Sequence, residues 1–84
     1  MVRGRLDRQD PRGVTYPANS VVVTLNNPQL GRSPRVYSGN DGMYYFYNVP
    51  PGHYILEIWI GARASLREID VHGPYTDVPP ILIR

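Results

Sequence analysis

The chain has 84 residues, 42% of them apolar, and a net charge of +2, which suits one globular core and is too short for two. Cysteine and lysine are both absent, excluding disulfides, thiolate metal sites and thiol nucleophiles as well as Schiff-base and P-loop lysine chemistry. No apolar run approaches the roughly 18 residues of a membrane span, and the first residues lack the apolar stretch of a signal peptide.

Pro and Gly recur every few residues, and a proline inside a helix costs about 3 kcal/mol, so the sequence leaves few places for helices. The first strand spans Val2 to Asp7: Val2, Gly4 and Leu6 share one face, while Arg3 and Arg5 point to solvent. Arg8 to Asn19, carrying Asp10, Pro11, Gly13 and Pro17, reads as a loop. Ser20 to Leu25 forms the second strand, with Val21, Val23 and Leu25 inward and Val22 and Thr24 opposite. A turn over Asn26 to Gly31 leads to a short third strand, Arg35 to Ser38.

Asn40-Asp41-Gly42 is the strongest local turn, because these residues tolerate positive φ. The fourth strand follows from Met43 to Tyr47, burying Tyr44 and Phe46 and turning Met43, Tyr45 and Tyr47 the other way. Neither proline of Asn48-Val49-Pro50-Pro51-Gly52 can donate to a ladder, so this stretch is a loop. His53 to Ile60 is the longest strand. Its alternation buries Tyr54, Leu56, Ile58 and Ile60, and displays Ile55, Glu57 and Trp59. A turn from Gly61 to Ala64 precedes a sixth strand, Leu66 to Val71, and Val78 to Ile83 makes a seventh after Gly73-Pro74. Seven short strands without a helix predict an all-β fold, a seven-stranded antiparallel sandwich of two sheets. Residues 1–84 are read as a single domain cut from a longer protein, because the strand pattern starts at once.

Asp41-Gly42, Tyr44, Phe46, Asn48 to Gly52, Tyr54, Leu56 and Ile58 together resemble the signature of carboxypeptidase-regulatory-like domains. That signature has a DG turn, an aromatic-x-aromatic strand, an N-hydrophobic-PPG loop and a Y-x-hydrophobic-x-hydrophobic strand. Gly4-Arg5-Leu6-Asp7 and Val21-x-Val23-x-Leu25 sit where the family carries its opening strand and second core strand. The segments Asp7 to Asn19 and everything after Gly61 match only loosely. The resemblance implies an immunoglobulin-like or transthyretin-like sandwich, an accessory role beside other domains, and an extracytoplasmic location, with the cytoplasm still open. The family is also similar in architecture to the B-type repeats of surface adhesins and pilins. Many of those carry a Lys-to-Asn or Lys-to-Asp isopeptide bond, which a chain without lysine cannot form.

Candidate chemistry is sparse. His53 and His72 are the only imidazoles, and even with Asp70 or Glu57 they show no ligand spacing; Asn40-Asp41-Gly42 lacks a calcium-loop pattern and is explained by turn chemistry. Ser20, Ser33, Ser38 and Ser65 lack a nucleophile setting, and no carboxylate pair stands out as acid and base. The reading is therefore non-enzymatic, with no cofactor and no metal. Nine arginines dispersed among seven acidic residues form no nucleic-acid motif, and no segment predicts membrane insertion. What a plain sandwich does not require is the aromatic surplus. Tyr45, Tyr47, Ile55 and Trp59 alternate outward, and predict contact with flanking domains or another protein or, alternatively, a carbohydrate-stacking surface. If the fourth and fifth strands belong to different sheets, the tyrosines and the tryptophan face opposite ways.

Overall fold

A computed structural model describes residues 1–83, in which nine strands form two packed sheets and no helix occurs among the described residues. One sheet contains β1 (Val2–Gln9), β2 (Thr15–Pro17), β6 (Met43–Phe46) and β9 (Thr76–Ile83); the other contains β3 (Val22–Asn27), β4 (Gly31–Arg32), β5 (Val36–Tyr37), β7 (Gly52–Ile60) and β8 (Arg63–Val71). The all-β sandwich expected from the strand pattern is present. The two additional strands, β2 and β4, are short pieces inside segments read as loop and turn. Their residues are mostly exposed and have no apolar alternation, so only pairing with a neighbour marks them as strands.

The first sheet is built around one central strand, β1, whereas in the second both β3 and β7 are interior and β8 pairs along the far edge of β7. β9 lies along one edge of β1 from Val2 to Arg8, and β6 and β2 share the other edge, β6 opposite Val2 to Arg5 and β2 opposite Asp7 to Gln9. The handover falls at Leu6, whose N–H donates to the Gly42 carbonyl at 2.8 Å and whose carbonyl accepts from the Ala18 N–H at 2.9 Å. In the second sheet β7 covers one edge of β3, while β5 and β4 divide the other.

The sandwich is not wholly antiparallel, which corrects the expectation. β9 runs parallel to β1, because the chain crosses between the sheets after β8 and returns beside β1 in the same direction. Pro79 and Pro80 fall where the β1–β9 register shifts between Gly4 and Leu6, a bulge where a missing N–H is tolerated.

The core follows the alternation closely. Val2 and Leu6 from β1, Val23 and Leu25 from β3, Tyr44 and Phe46 from β6, and Tyr54, Leu56 and Ile58 from β7 are buried. The Tyr44 ring lies over Gly4, where an added Cβ would come within 2.3 Å of the phenol oxygen; burial pushes the Tyr44 hydroxyl well above the usual tyrosine range. Ile60 departs from the expectation and is 40% exposed. It keeps the inward parity of Ile58, but it precedes the two-residue turn Gly61-Ala62 at the hairpin tip, which extends past the covered interior. That turn is also shorter than expected, since Arg63 already pairs with Ile60.

Candidate functional site

The chemistry-bearing side chains gather where β4 and the segment Ser33 to Arg35 border both the interior and the outer face of the second sheet. On the interior side lies an apolar cleft of about 440 Å³, floored by Leu25, Val36, Phe46 and Tyr54 and rimmed by Tyr45 and Tyr47. On the outer side is a hollow of about 400 Å³ bordered by Thr24, Trp59 and Arg35. Arg32, Ser33 and Pro34 line both, so one short segment is the wall between them.

Alternation turns Tyr45 of β6 away from the core, and Tyr47, one residue past the end of the strand, keeps the same parity. Their ring centroids lie 6.4 Å apart with planes inclined by 16°, and Tyr47 is 69% exposed. Arg3 stands directly opposite Tyr45 on β1 and pairs with Asp77 of β9, placing a cation and an anion beside the rings. Trp59 and Ile55 project from the outer face of the other sheet, so the four residues singled out from sequence divide into two groups. Ile55 is half-buried opposite Asn26 and Glu68 and borders neither cavity.

Trp59 is not a free platform. Its indole N–H donates to Thr24 Oγ1 at 2.9 Å, and the Arg32 guanidinium carbon lies 5.4 Å from the ring centroid, within cation–π range. Thr24 Oγ1 in turn donates to Glu57 Oε1 at 2.7 Å, and Arg32 donates through Nε and Nη2 to the two Glu57 oxygens at 2.7 and 2.9 Å. Sequence parity put Thr24 and Glu57 on the outer face and therefore in solvent. They do face outward, yet both are buried, because Arg32 and Trp59 close over them.

Hydrogen bonds from Arg32 hold the Glu57 carboxyl below its ordinary value of 4.5, aided by Thr24 and opposed by burial. A carboxyl depressed in the folded state adds stability above its unfolded pKa and loses it as pH falls through the folded value. The midpoint of urea unfolding is therefore expected to drop as pH is lowered below about 4.5, and Glu57→Gln is expected to flatten that drop. An identical pH profile for the two proteins would contradict the cluster.

Several other polar groups serve the backbone. Ser38 Oγ donates to the Ala18 carbonyl at 2.6 Å and accepts from the Val21 N–H at 2.9 Å, and Ser33 Oγ accepts from the Leu25 N–H at 2.9 Å. Asp41 Oδ1 accepts from the Met43 N–H at 3.0 Å, closing the Asn-Asp-Gly turn. His53 Nδ1 lies 2.8 Å from Asp70 Oδ1 on the exposed outer face, a contact that raises the imidazole pKa. Among the described residues no group of three or more His, Asp or Glu is arranged to hold a metal ion.

No protein-family model and no curated sequence matches the chain. Its fold, however, is shared with solved structures. One is a candidate carbohydrate binding protein from Pseudomonas aeruginosa, aligned over 98% of this chain and 86% of its own at a TM-score of 0.69 and 11% identity. Another is the Bacillus anthracis TIE protein, aligned over 95% of this chain and 16% of its own at a TM-score of 0.67 and 13% identity. At these identities the likeness establishes the fold: a small all-β domain. Arg32 and Thr24 were missed as site residues because nothing local marks them, and Glu57 was weighed only as a carboxylate beside the histidines. The one available signal was Glu57 in a strand of apolar neighbours, where a carboxylate needs a partner to be retained.

Proposed function

We propose that this chain is a non-catalytic accessory β-sandwich that makes contact with a flanking domain or another protein through the cleft rimmed by Tyr45 and Tyr47. The observation that carries this reading is the near-parallel tyrosine pair, with Tyr47 left 69% exposed at the mouth of an apolar cleft. Exposed rings beside an apolar recess suit a contact hot spot, since covering them removes large apolar area from water. The carboxypeptidase-regulatory-like resemblance supports an accessory role in an exported protein. In the TIE protein the shared fold occupies 16% of a longer chain, which supports a modular use of the fold.

The test compares oxidative footprinting of the isolated domain with that of the full-length parent protein. Tyr45 and Tyr47 are expected to be protected in the parent, and Tyr45→Ala/Tyr47→Ala to loosen the domain from its neighbours while leaving its unfolding midpoint nearly unchanged. Equal labelling of both tyrosines in the two settings would refute contact with flanking domains.

A second reading, carbohydrate binding, is favoured by a separate observation. The outer hollow combines an indole with arginine donors, and the similar Pseudomonas aeruginosa fold is that of a candidate carbohydrate binding protein. Trp59 fluorescence titrated with a broad polysaccharide panel tests it, and a flat response across the panel would dismiss it.

A further inference from the structure

We propose that the outer-face hollow beside Trp59 is a binding site for an acidic saccharide, a pyranose bearing a carboxylate, with the sugar packed against the part of the indole that Arg32 leaves open to the hollow and its charge held by Arg35 and the free N–H groups of Arg32. The inference deepens the carbohydrate reading and uses residues other than the tyrosine rim. At about 400 Å³ the hollow falls within the roughly 300–1,000 Å³ typical of small-ligand sites.

The aromatic element is fixed in place. Trp59 is pinned through its N–H to Thr24, a residue only 2% exposed, so the ring needs little ordering when a ligand arrives. The C–H faces of a pyranose are apolar and suit an aromatic surface, and its hydroxyls need donors and acceptors at the rim.

The charge argument turns on what Glu57 leaves over. Its two oxygens accept from Arg32 Nε and Nη2, and Oε1 also accepts from Thr24; at 5% exposure the carboxylate is shielded and neutralised by Arg32. Arg32 spends only those two N–H groups on Glu57, and a guanidinium has five. Its side chain remains 52% exposed, so Nη1 is left to face solvent or a ligand. Arg35 borders the hollow and has no salt bridge with any described residue. With Arg32 and Glu57 cancelling, the hollow presents one net positive charge. A neutral sugar would use the indole and leave that cation unmatched, whereas a carboxylate would add charge-assisted hydrogen bonds.

Trp59 is the only tryptophan, so its fluorescence reports on this site without ambiguity. The experiment titrates the protein with oligogalacturonate and with the uncharged galactose oligomer of the same length. The expected result is a saturable change with oligogalacturonate, at least tenfold weaker binding of the neutral oligomer, and weakening by added salt. Arg35→Gln is expected to lose roughly tenfold in affinity, and Arg35→Lys to recover part of it. Equal affinity for both oligomers would overturn the acidic specificity while leaving carbohydrate binding standing. Silence with both, in a protein whose circular dichroism shows it folded, would overturn this site without touching the footprinting test of the tyrosine cleft. Undiminished binding by Arg35→Gln would overturn the assignment of Arg35.

Discussion

Gly42→Ala is expected to destabilise the domain by about 3 kcal/mol or more, a large share of what a domain of this size commonly has. Two costs combine. Gly42 sits at φ 78°, where an L-residue pays about 1–2 kcal/mol, and an added Cβ would lie 2.3 Å from the Leu6 carbonyl oxygen. The backbone must then move, straining both the Leu6 N–H bond to Gly42 and the Ala18 N–H bond to Leu6, at about 1 kcal/mol for each net hydrogen bond lost.

Gly31→Ala separates the two costs. Gly31 has a similar φ of 82° but nothing within 4 Å of the Cβ position, so the expected loss is only about 1–2 kcal/mol. Urea unfolding followed by Trp59 fluorescence measures both variants, and equal losses would show that the approach to Leu6 does not constrain the fold. The functional consequence follows from position. β6 begins immediately after Gly42, so a displaced turn also displaces Tyr45 and Tyr47.

Leu56→Ala is expected to cost about 2–5 kcal/mol and Ile60→Ala about 0.5 kcal/mol or less, although both positions share the inward parity of β7. Leu56 is fully buried and paired with Leu25 across the sheet, so truncation leaves a cavity that rigid neighbours cannot fill. Ile60 is 40% exposed at the hairpin tip, where removing methyl groups leaves no enclosed void. Comparable losses at the two sites, measured by chemical denaturation, would place Ile60 in the core after all.

Most of the interior is legible in the amino-acid sequence. Alternation in β1, β3, β6 and β7 assigned Val2, Leu6, Val23, Leu25, Tyr44, Phe46, Tyr54, Leu56 and Ile58 to one side, and all are buried. Asn40-Asp41-Gly42 marked the turn into β6, since both the positive φ and the Asp41 acceptor are local properties of that tripeptide. The outward orientation of Tyr45, Tyr47 and Trp59 also came from parity. Parity says which way a side chain leaves its strand. It does not say what lies there.

The amino-acid sequence by itself therefore determined the fold class, the main strands and their inward faces, because side-chain alternation and turn geometry depend only on near neighbours along the chain. Tertiary structure alone decided that β9 runs parallel to β1, that Ile60 escapes burial, and that β6 and β7 carry the tyrosines and Trp59 on different sheets. It also decided that Glu57 and Thr24 are sheltered outside the core, through the approach of Arg32 from 25 residues away in the chain. Such an encounter is set by how the sheets are ordered, and pairings between distant segments leave no periodic trace in either segment.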